Sequence, residues 1–320
     1  MKSLRKGARW MRSRITGGGI ILGYHRIAED PFDPYSICVT SRNFQDHLDV
    51  LRHETKPLSL HALVQGLKAR EIPPRSVVLT LDDGYADNLL NAKSLLEHYQ
   101  IPATIFVSTG YIGGRFWWDV LAEQIMADGA DLESMAALAE GVSRARRAIR
   151  GGNLASAKGR NALILSLYRM VLFAPPAERD TLLEQVRVLG GGEIQSRPEA
   201  RALRSDELVE LACGDLIEIG AHSHSHPVLA ALPGHEQRDE IIESKRRIGE
   251  ILGTPPVSFS CPNGSWSSEI RAILVETGFE CACISEDDVV TSRTDPFRLP
   301  RFWIGDWGKD QFVSWLRRKT

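Results

Sequence analysis

Two short stretches of this 320-residue chain hold side chains able to do chemistry. In Leu79-Thr80-Leu81-Asp82-Asp83-Gly84-Tyr85 an apolar run ends in two carboxylates. Such a pair is costly to bury unless it sits at the end of a strand, near solvent or a cation. Neighbouring side chains on a strand point to opposite faces. Asp82 and Asp83 therefore converge only where the backbone turns, which Gly84 permits. A bare Asp-Asp-Gly also serves as an ordinary turn or helix N-cap. In His222-Ser223-His224-Ser225-His226-Pro227, three of the nine histidines fall within five residues, which packing explains badly. Neutral imidazoles suit zinc and related divalent ions. One helical turn would put His222 and His226 on a common face, with His224 pointing away, behind the site or exposed. Two histidines and Asp83 leave coordination positions open, the pattern of a catalytic centre and not of a closed structural one.

These residues need elements to hold them. Seven apolar runs have strand length: Gly19–Tyr24, Val77–Leu81, Thr104–Val107, Leu216–Gly220, Val257–Ser260, Cys281–Ile284 and the less regular Phe297–Ile304. Helical stripes lie between them, among them Phe44, Leu48 and Leu51, and Leu60, Leu63, Val64 and Leu67 with Ser59 as N-cap. This alternation predicts an α/β protein with a parallel sheet, either open and doubly wound or closed as a barrel. From 115 to 204 the chain is rich in Ala, Leu and Arg and lacks strong strands. It reads as a helical insertion between the third and fourth strands, able to form a lid or groove wall, and not as a domain of its own. Gly151–Gly152 and Gly190–Gly192 punctuate it.

The placement of the polar clusters carries more weight than any one motif. His25 ends the first apolar run, the Asp pair the second, the His cluster the fourth and Pro262-Asn263-Gly264 the fifth. Active sites in barrels and open α/β sheets gather at the carboxyl ends of strands, so all four clusters are expected on one rim.

Composition narrows the setting. A formal net charge of -2 gives no field for nucleic acid. The charge is uneven, because residues 1–14 hold six basic side chains and no acid. Within this basic arm, taken as residues 1–18, Leu4, Ala8, Met11 and Ile15 fall at helical spacing. The arm reads either as an amphipathic helix in peripheral contact with an anionic membrane, or as a frayed or domain-packed terminus. Five cysteines without a C-x-x-C spacing fit reduced thiols. No apolar run has the length of a signal peptide core or a membrane span. The expectation is a cytoplasmic protein, with the inner membrane surface as its one candidate membrane contact.

Together the motifs resemble the polysaccharide deacetylase family, whose shared unit is the NodB homology domain of carbohydrate esterase family 4. The family's Thr-Phe-Asp-Asp-Gly is matched by Thr80-Leu81-Asp82-Asp83-Gly84, and its His-Ser/Thr-x-x-His-Pro by His222, Ser223, His226 and Pro227. The resemblance covers roughly residues 19–115 and 205–305. It implies a distorted (β/α)7 barrel over 19–320 as a single domain carrying the 115–204 insertion. It implies a bacterial hydrolase that removes acetyl groups from N-acetylated amino sugars in a polysaccharide, oligosaccharide or lipid-linked glycan. Asp82 would be the catalytic base, and Asp83, His222 and His226 would hold one divalent metal, zinc first, with cobalt, nickel or manganese as alternatives.

Three departures shape the expected site. Where the family reads Arg-x-Pro-Tyr-Gly this chain has Ser260-Cys261-Pro262-Asn263-Gly264, so the arginine that orients the base is missing there. Arg301, in Leu299-Pro300-Arg301-Phe302-Trp303, is expected to replace it from the last strand. No histidine follows His235, so the usual C-terminal general acid is absent. Circularly permuted members carry that histidine in a Tyr-His-Arg context on the first strand, which Tyr24-His25-Arg26 resembles. Asn263, beside Pro262, replaces an aromatic residue whose backbone N–H helps bind the oxyanion. Tyr85 and Trp303 are expected to face substrate, while Trp117 and Trp118 read as sugar-ring walls or as core. Two other readings stay open: a metal-independent cyclic amide hydrolase of the same barrel type, and a non-catalytic glycan-binding relative.

Overall fold

The computed structural model describes residues 18–139, 153–174, 176–191 and 200–319. The expected helix of the basic arm and the Gly151–Gly152 break lie outside them. The chain divides into two compact units. One comprises the segment ending at Pro31, Ile37–Gly113 and Ala202–Thr320; the other comprises Phe32–Ser36 and Gly114–Arg201.

In the first unit, six strands form a parallel sheet in sequence order: β1 (Gly18–Tyr24), β2 (Ser76–Leu81), β3 (Ala103–Val107), β4 (Ile217–Ala221), β5 (Ser258–Ser260) and β6 (Cys281–Cys283). A seventh, β7 (Phe302–Trp303), runs parallel to β1 on its other side. Residues just before β7 reach β6, where Leu299 N–H donates to Ala282 O at 2.9 Å and Ile284 N–H to Leu299 O at 2.9 Å. The stretch Leu299–Trp303 thus joins the two ends of a curled sheet, and the architecture is a distorted (β/α) barrel. The expected strand over Phe297–Ile304 pairs as a strand only at Phe302–Trp303. Pro300, which has no N–H to give, interrupts the ladder. Short additions outside the sequence expectation are Arg26–Ile27 beside Cys38–Val39, Lys56–Pro57 along β2, and Val290–Thr291 antiparallel to β1.

β1 and β2 are buried along their whole length, which is why they read as continuous apolar runs and not as alternation. On one face Ile20, Leu22, Val77, Leu79 and Ile105 pack with Phe44, Leu48 and Leu51 of α1 (Ser41–Glu54). On the other, Ile21, Val78, Phe106, Cys281, Cys283 and Leu299 pack with the apolar stripe of α2 (Leu60–Ala69). That stripe is the expected Leu60, Leu63, Val64 and Leu67. Full burial of each such leucine is worth about 2 kcal/mol. Ser59 caps α2, its Oγ accepting Ala62 N–H at 3.1 Å. Further helices are α3 (Lys93–Tyr99), α4 (Ser205–Leu211), α5 (Gly234–Leu252), α6 (Ser268–Glu276) and α7 (Lys309–Arg317).

In the second unit the described residues form helices over Trp117–Met126, Leu132–Ala139, Ala157–Phe173 and Pro176–Leu189. Trp117 stacks on Tyr168 with ring centroids 5.2 Å apart, and Trp118 on Phe116 at 4.7 Å. Both tryptophans are buried, so of their two readings the packing gives the core.

Candidate metal and catalytic centre

Val78, Thr80 and Asp82 lie two residues apart on β2 and its end, so their side chains share one face. The chain then turns one residue earlier than Gly84 alone would allow. Asp83 itself adopts a left-handed backbone, with φ 73°, and Gly84 follows with φ 84°. The two turns swing the Asp83 carboxylate to the same side as Asp82. A Cβ on Gly84 would also come within 3.1 Å of the Val107 methyls.

The histidine motif differs from the expected helical turn. It is a loop after β4, with Ser223 at φ 62° and His226 at φ 55°. Its shape is held from outside. Glu240 on α5 accepts the N–H groups of His224 and Ser225 at 2.8 and 2.7 Å and the Ser225 hydroxyl at 2.6 Å. Ser108 Oγ donates to His222 O at 3.0 Å, and Tyr111 OH to Ser225 O at 3.1 Å. His224 bonds Thr109 Oγ1 at 3.0 Å and stays out of the ligand set, as expected.

His222 and His226 approach Asp83 Oδ1 through Nε2 at 3.5 and 3.4 Å, and His222 Nε2 is 3.6 Å from Asp82 Oδ2. The ligand atoms of Asp83, His222 and His226 all fall within 4.8 Å of one another. The tautomer of His222 follows from geometry. Its Nδ1 lies 2.8 Å from the Ser260 carbonyl, which only accepts, so Nδ1 carries the hydrogen and Nε2 presents its lone pair to the carboxylates. Burial pushes the His222 pKa down, against the pull of Asp82. A proton is therefore a poor bridge between these lone pairs, and a cation is a good one. Two imidazole nitrogens and one carboxylate oxygen fit a divalent ion of borderline softness.

Arg301 is fully buried and grips Asp82 with both arms, at 2.7 Å to each oxygen. The guanidinium also donates to Thr80 Oγ1 at 3.0 Å and Ser260 Oγ at 2.9 Å, and Ser260 Oγ donates to Asp82 Oδ2 at 3.1 Å. Burial raises the Asp82 carboxyl, but the Arg301 charge and hydrogen bonds outweigh it and hold the group well below the usual carboxylate range. Ser260 occupies the motif position where relatives place the arginine. Here that position contributes a hydroxyl, and the guanidinium arrives from the 299–303 segment.

His25 follows β1 and stacks on Trp303, with ring centroids 4.5 Å apart and planes 15° from parallel. Gly23 makes room, since a Cβ there would lie 2.8 Å from the Trp303 ring. The Arg301 Cζ sits 4.7 Å from the Trp303 centroid. Trp303 therefore packs on the site's own side chains. Burial pushes His25 down to about 4, with the Asp82 charge opposing. Asn263 is exposed in a 3₁₀ turn, Pro262–Gly264, at φ 55°, a left-handed conformation that asparagine tolerates. Pro262 is buried behind it. Tyr85, expected at the substrate face, is fully buried with the Arg26 guanidinium 4.8 Å from its ring centre. It has no surface left for a sugar and belongs to the core. Sequence reasoning missed the roles of Thr80, Ser260 and Glu240. Thr80 stood in the matched Asp motif and Ser260 at the place of a missing arginine, while Glu240 left no signal.

A family model described as polysaccharide deacetylase matches residues 69–142 and 191–282, more than half of the chain. The chain belongs to the polysaccharide deacetylase family. Among deacetylase relatives, the poly-beta-1,6-N-acetyl-D-glucosamine N-deacetylase of Staphylococcus epidermidis is 30% identical over 107 residues. That match covers 29% of this chain and 37% of the relative, well short of two thirds of the relative's length. Two solved structures share the fold at 16% identity. IcaB from Ammonifex degensii has a TM-score of 0.62, covering 94% of this chain and 97% of its own. The Streptococcus pyogenes deacetylase PplD in complex with acetate has a TM-score of 0.59, covering 93% and 97%.

Proposed function

We propose that this protein hydrolyses the acetamido group of N-acetylated amino sugars in a glycan, with a divalent metal held by Asp83, His222 and His226. The observation that carries this reading is the adjacency of an open two-histidine, one-carboxylate donor set to a carboxylate that Arg301 keeps ionised. The substrate class follows from family membership and from the name of the Staphylococcus epidermidis relative, whose polymer is the first to test.

A zinc or similar ion at this donor set would polarise the acetyl carbonyl and acidify a water enough for a weak base to suffice. Asp82 takes the proton from that water; Arg301, Ser260 and Thr80 fix its orientation and keep it charged at neutral pH. The Asn263 backbone N–H is placed in the role of oxyanion donor, worth about 3 kcal/mol when such a donor is lost. His25, with a pKa near 4, is neutral at rest. It gains its proton within the cycle, from Asp82, the strongest charge acting on it, and passes it to the departing amine.

The test is acetate release from N-acetylglucosamine oligomers, read beside the metal content of the purified protein. Asp83→Ala and His222→Ala are expected to lose the metal and at least a thousandfold in turnover, on the order of a lost catalytic group. Full turnover in a metal-free preparation would sink the reading and favour a metal-independent amide hydrolase. Tight glycan binding without acetate release would favour a binding protein.

A further inference from the structure

The proposed acid, His25, lies on a short link between β1 and the strand pair that follows; beside the backbone pairing of Arg26 N–H with Ile37 O at 3.2 Å, side-chain hydrogen bonds from residues 87–91 tie that link down. After Asp83 and Gly84 the chain winds into a π-helical turn, Asn88–Ala92, that leads into α3. Such turns insert a residue into a helix and are frequent at functional sites. The side chains at its start reach back across the barrel rim. Asn88 Nδ2 donates to the carbonyl of His25 at 2.9 Å and to Asp87 Oδ1 at 3.2 Å. Asp87 Oδ1 accepts the Ile27 N–H at 3.1 Å, and its Oδ2 accepts Arg26 Nε at 2.9 Å. Asn91 Nδ2 donates to the Ile27 carbonyl at 2.7 Å.

Asp87 and Asn88 are fully buried, and Arg26 nearly so. Burying a carboxylate, an amide and a guanidinium is costly, and apolar side chains would pack this corner more cheaply. What the polar set adds is direction. It ties the peptide groups at 25 and 27 to the segment that begins with Asp82 and Asp83. We infer that Asp87, Asn88 and Asn91 are positioning residues for His25, holding its backbone in fixed register with the base and the metal ligand. Trp303 seats the ring from the other side, so anchor and stack together leave the imidazole one place to be. This inference rests on the deacetylase reading, because it presumes that His25 handles a proton during turnover.

A double-mutant cycle tests it. Asn88→Ala and the milder Asn91→Ala, which lies on a half-buried side chain and should fold even if the first does not, are assayed alone and in a His25→Ala background. The zinc-loaded full chain is used with an N-acetylglucosamine oligomer. Asn88→Ala alone should lower kcat by about a hundredfold, the usual cost of a misplacement near 1 Å. Asn91→Ala should lower it by about tenfold by the same argument. Bound zinc should be unchanged and KM within about twofold, since neither side chain touches substrate. In the His25→Ala background each should change kcat by less than about twofold, because a residue acting through His25 has nothing left to position. Equal losses in both backgrounds, or kcat near wild type for both variants, overturn the inference while leaving the deacetylase reading intact. Undiminished turnover by His25→Ala alone overturns the reading of His25 and the inference with it.

Discussion

Asp82 and Asp83 are neighbours in sequence, yet the structure treats them as opposites. Asp82 ends an ordinary strand and is saturated by its surroundings: two guanidinium arms, a serine hydroxyl and complete burial. Asp83 sits in a left-handed turn and is met by the Nε2 atoms of two histidines. A carboxylate already neutralised by arginine is a poor metal ligand but a well-oriented base. A carboxylate facing imidazole lone pairs invites a cation. In the proposed reading the two roles are separated by counter-charge and by a single backbone turn.

Breaking the Asp82 side should have the largest effect. Arg301→Leu leaves a buried carboxylate without its counter-charge and should destabilise the fold by about 3–5 kcal/mol, read by denaturant unfolding. Because Arg301 holds the folded pKa of Asp82 below its unfolded value, the pair stabilises the protein above the usual carboxylate range. That contribution is lost as pH falls through the lowered folded value. In the variant, burial raises Asp82 with its strongest opponent gone, so the acid limb of the rate profile should move to higher pH. An unmoved limb would mean that Asp82 is not the base. The Asp83 side is best loosened from a distance. Glu240→Ala should weaken zinc affinity by about 10–100-fold, as loss of a supporting shell does, with the pH limb unmoved; competition with a chelator measures it. Ser260→Ala sharpens the contrast at smallest cost. It should remove about 1 kcal/mol of Asp82 orientation, roughly a fivefold loss in kcat, and leave zinc content alone.

Much of this was legible in the sequence because it rests on local pattern. Strands such as β1 and β2 are apolar runs buried on both faces, and the α2 stripe repeats at helical spacing from a serine cap. The Asp pair and the His cluster are contiguous, so their types and spacing survive without a structure. What escaped depends on non-local closure or on backbone conformation. The left-handed states of Asp83, Ser223 and His226 lack the glycine that would mark them in the sequence. Glu240 lies on a helix rich in charged residues, and only the folded chain shows it turned toward the histidine loop. Tyr85 misled because it follows the motif directly, while the turn at Asp83 and Gly84 that aims Asp83 at the histidines leaves Tyr85 fully buried.

The strand stretch that joins the ends of the barrel has a further consequence. Leu299–Trp303 follows the other strands of the barrel in chain order, and it delivers both the guanidinium for Asp82 and the ring beneath His25. Until it docks, Asp82 lies at the rim of an open sheet without its counter-charge, and burial there would favour the protonated, inert acid. The charge state of Asp82 is thereby tied to closure of the barrel. A chain cleaved ahead of Leu299 would keep Asp83, His222 and His226 but lose the counter-charge of Asp82, so the barrel's seam acts as a latch on that carboxylate.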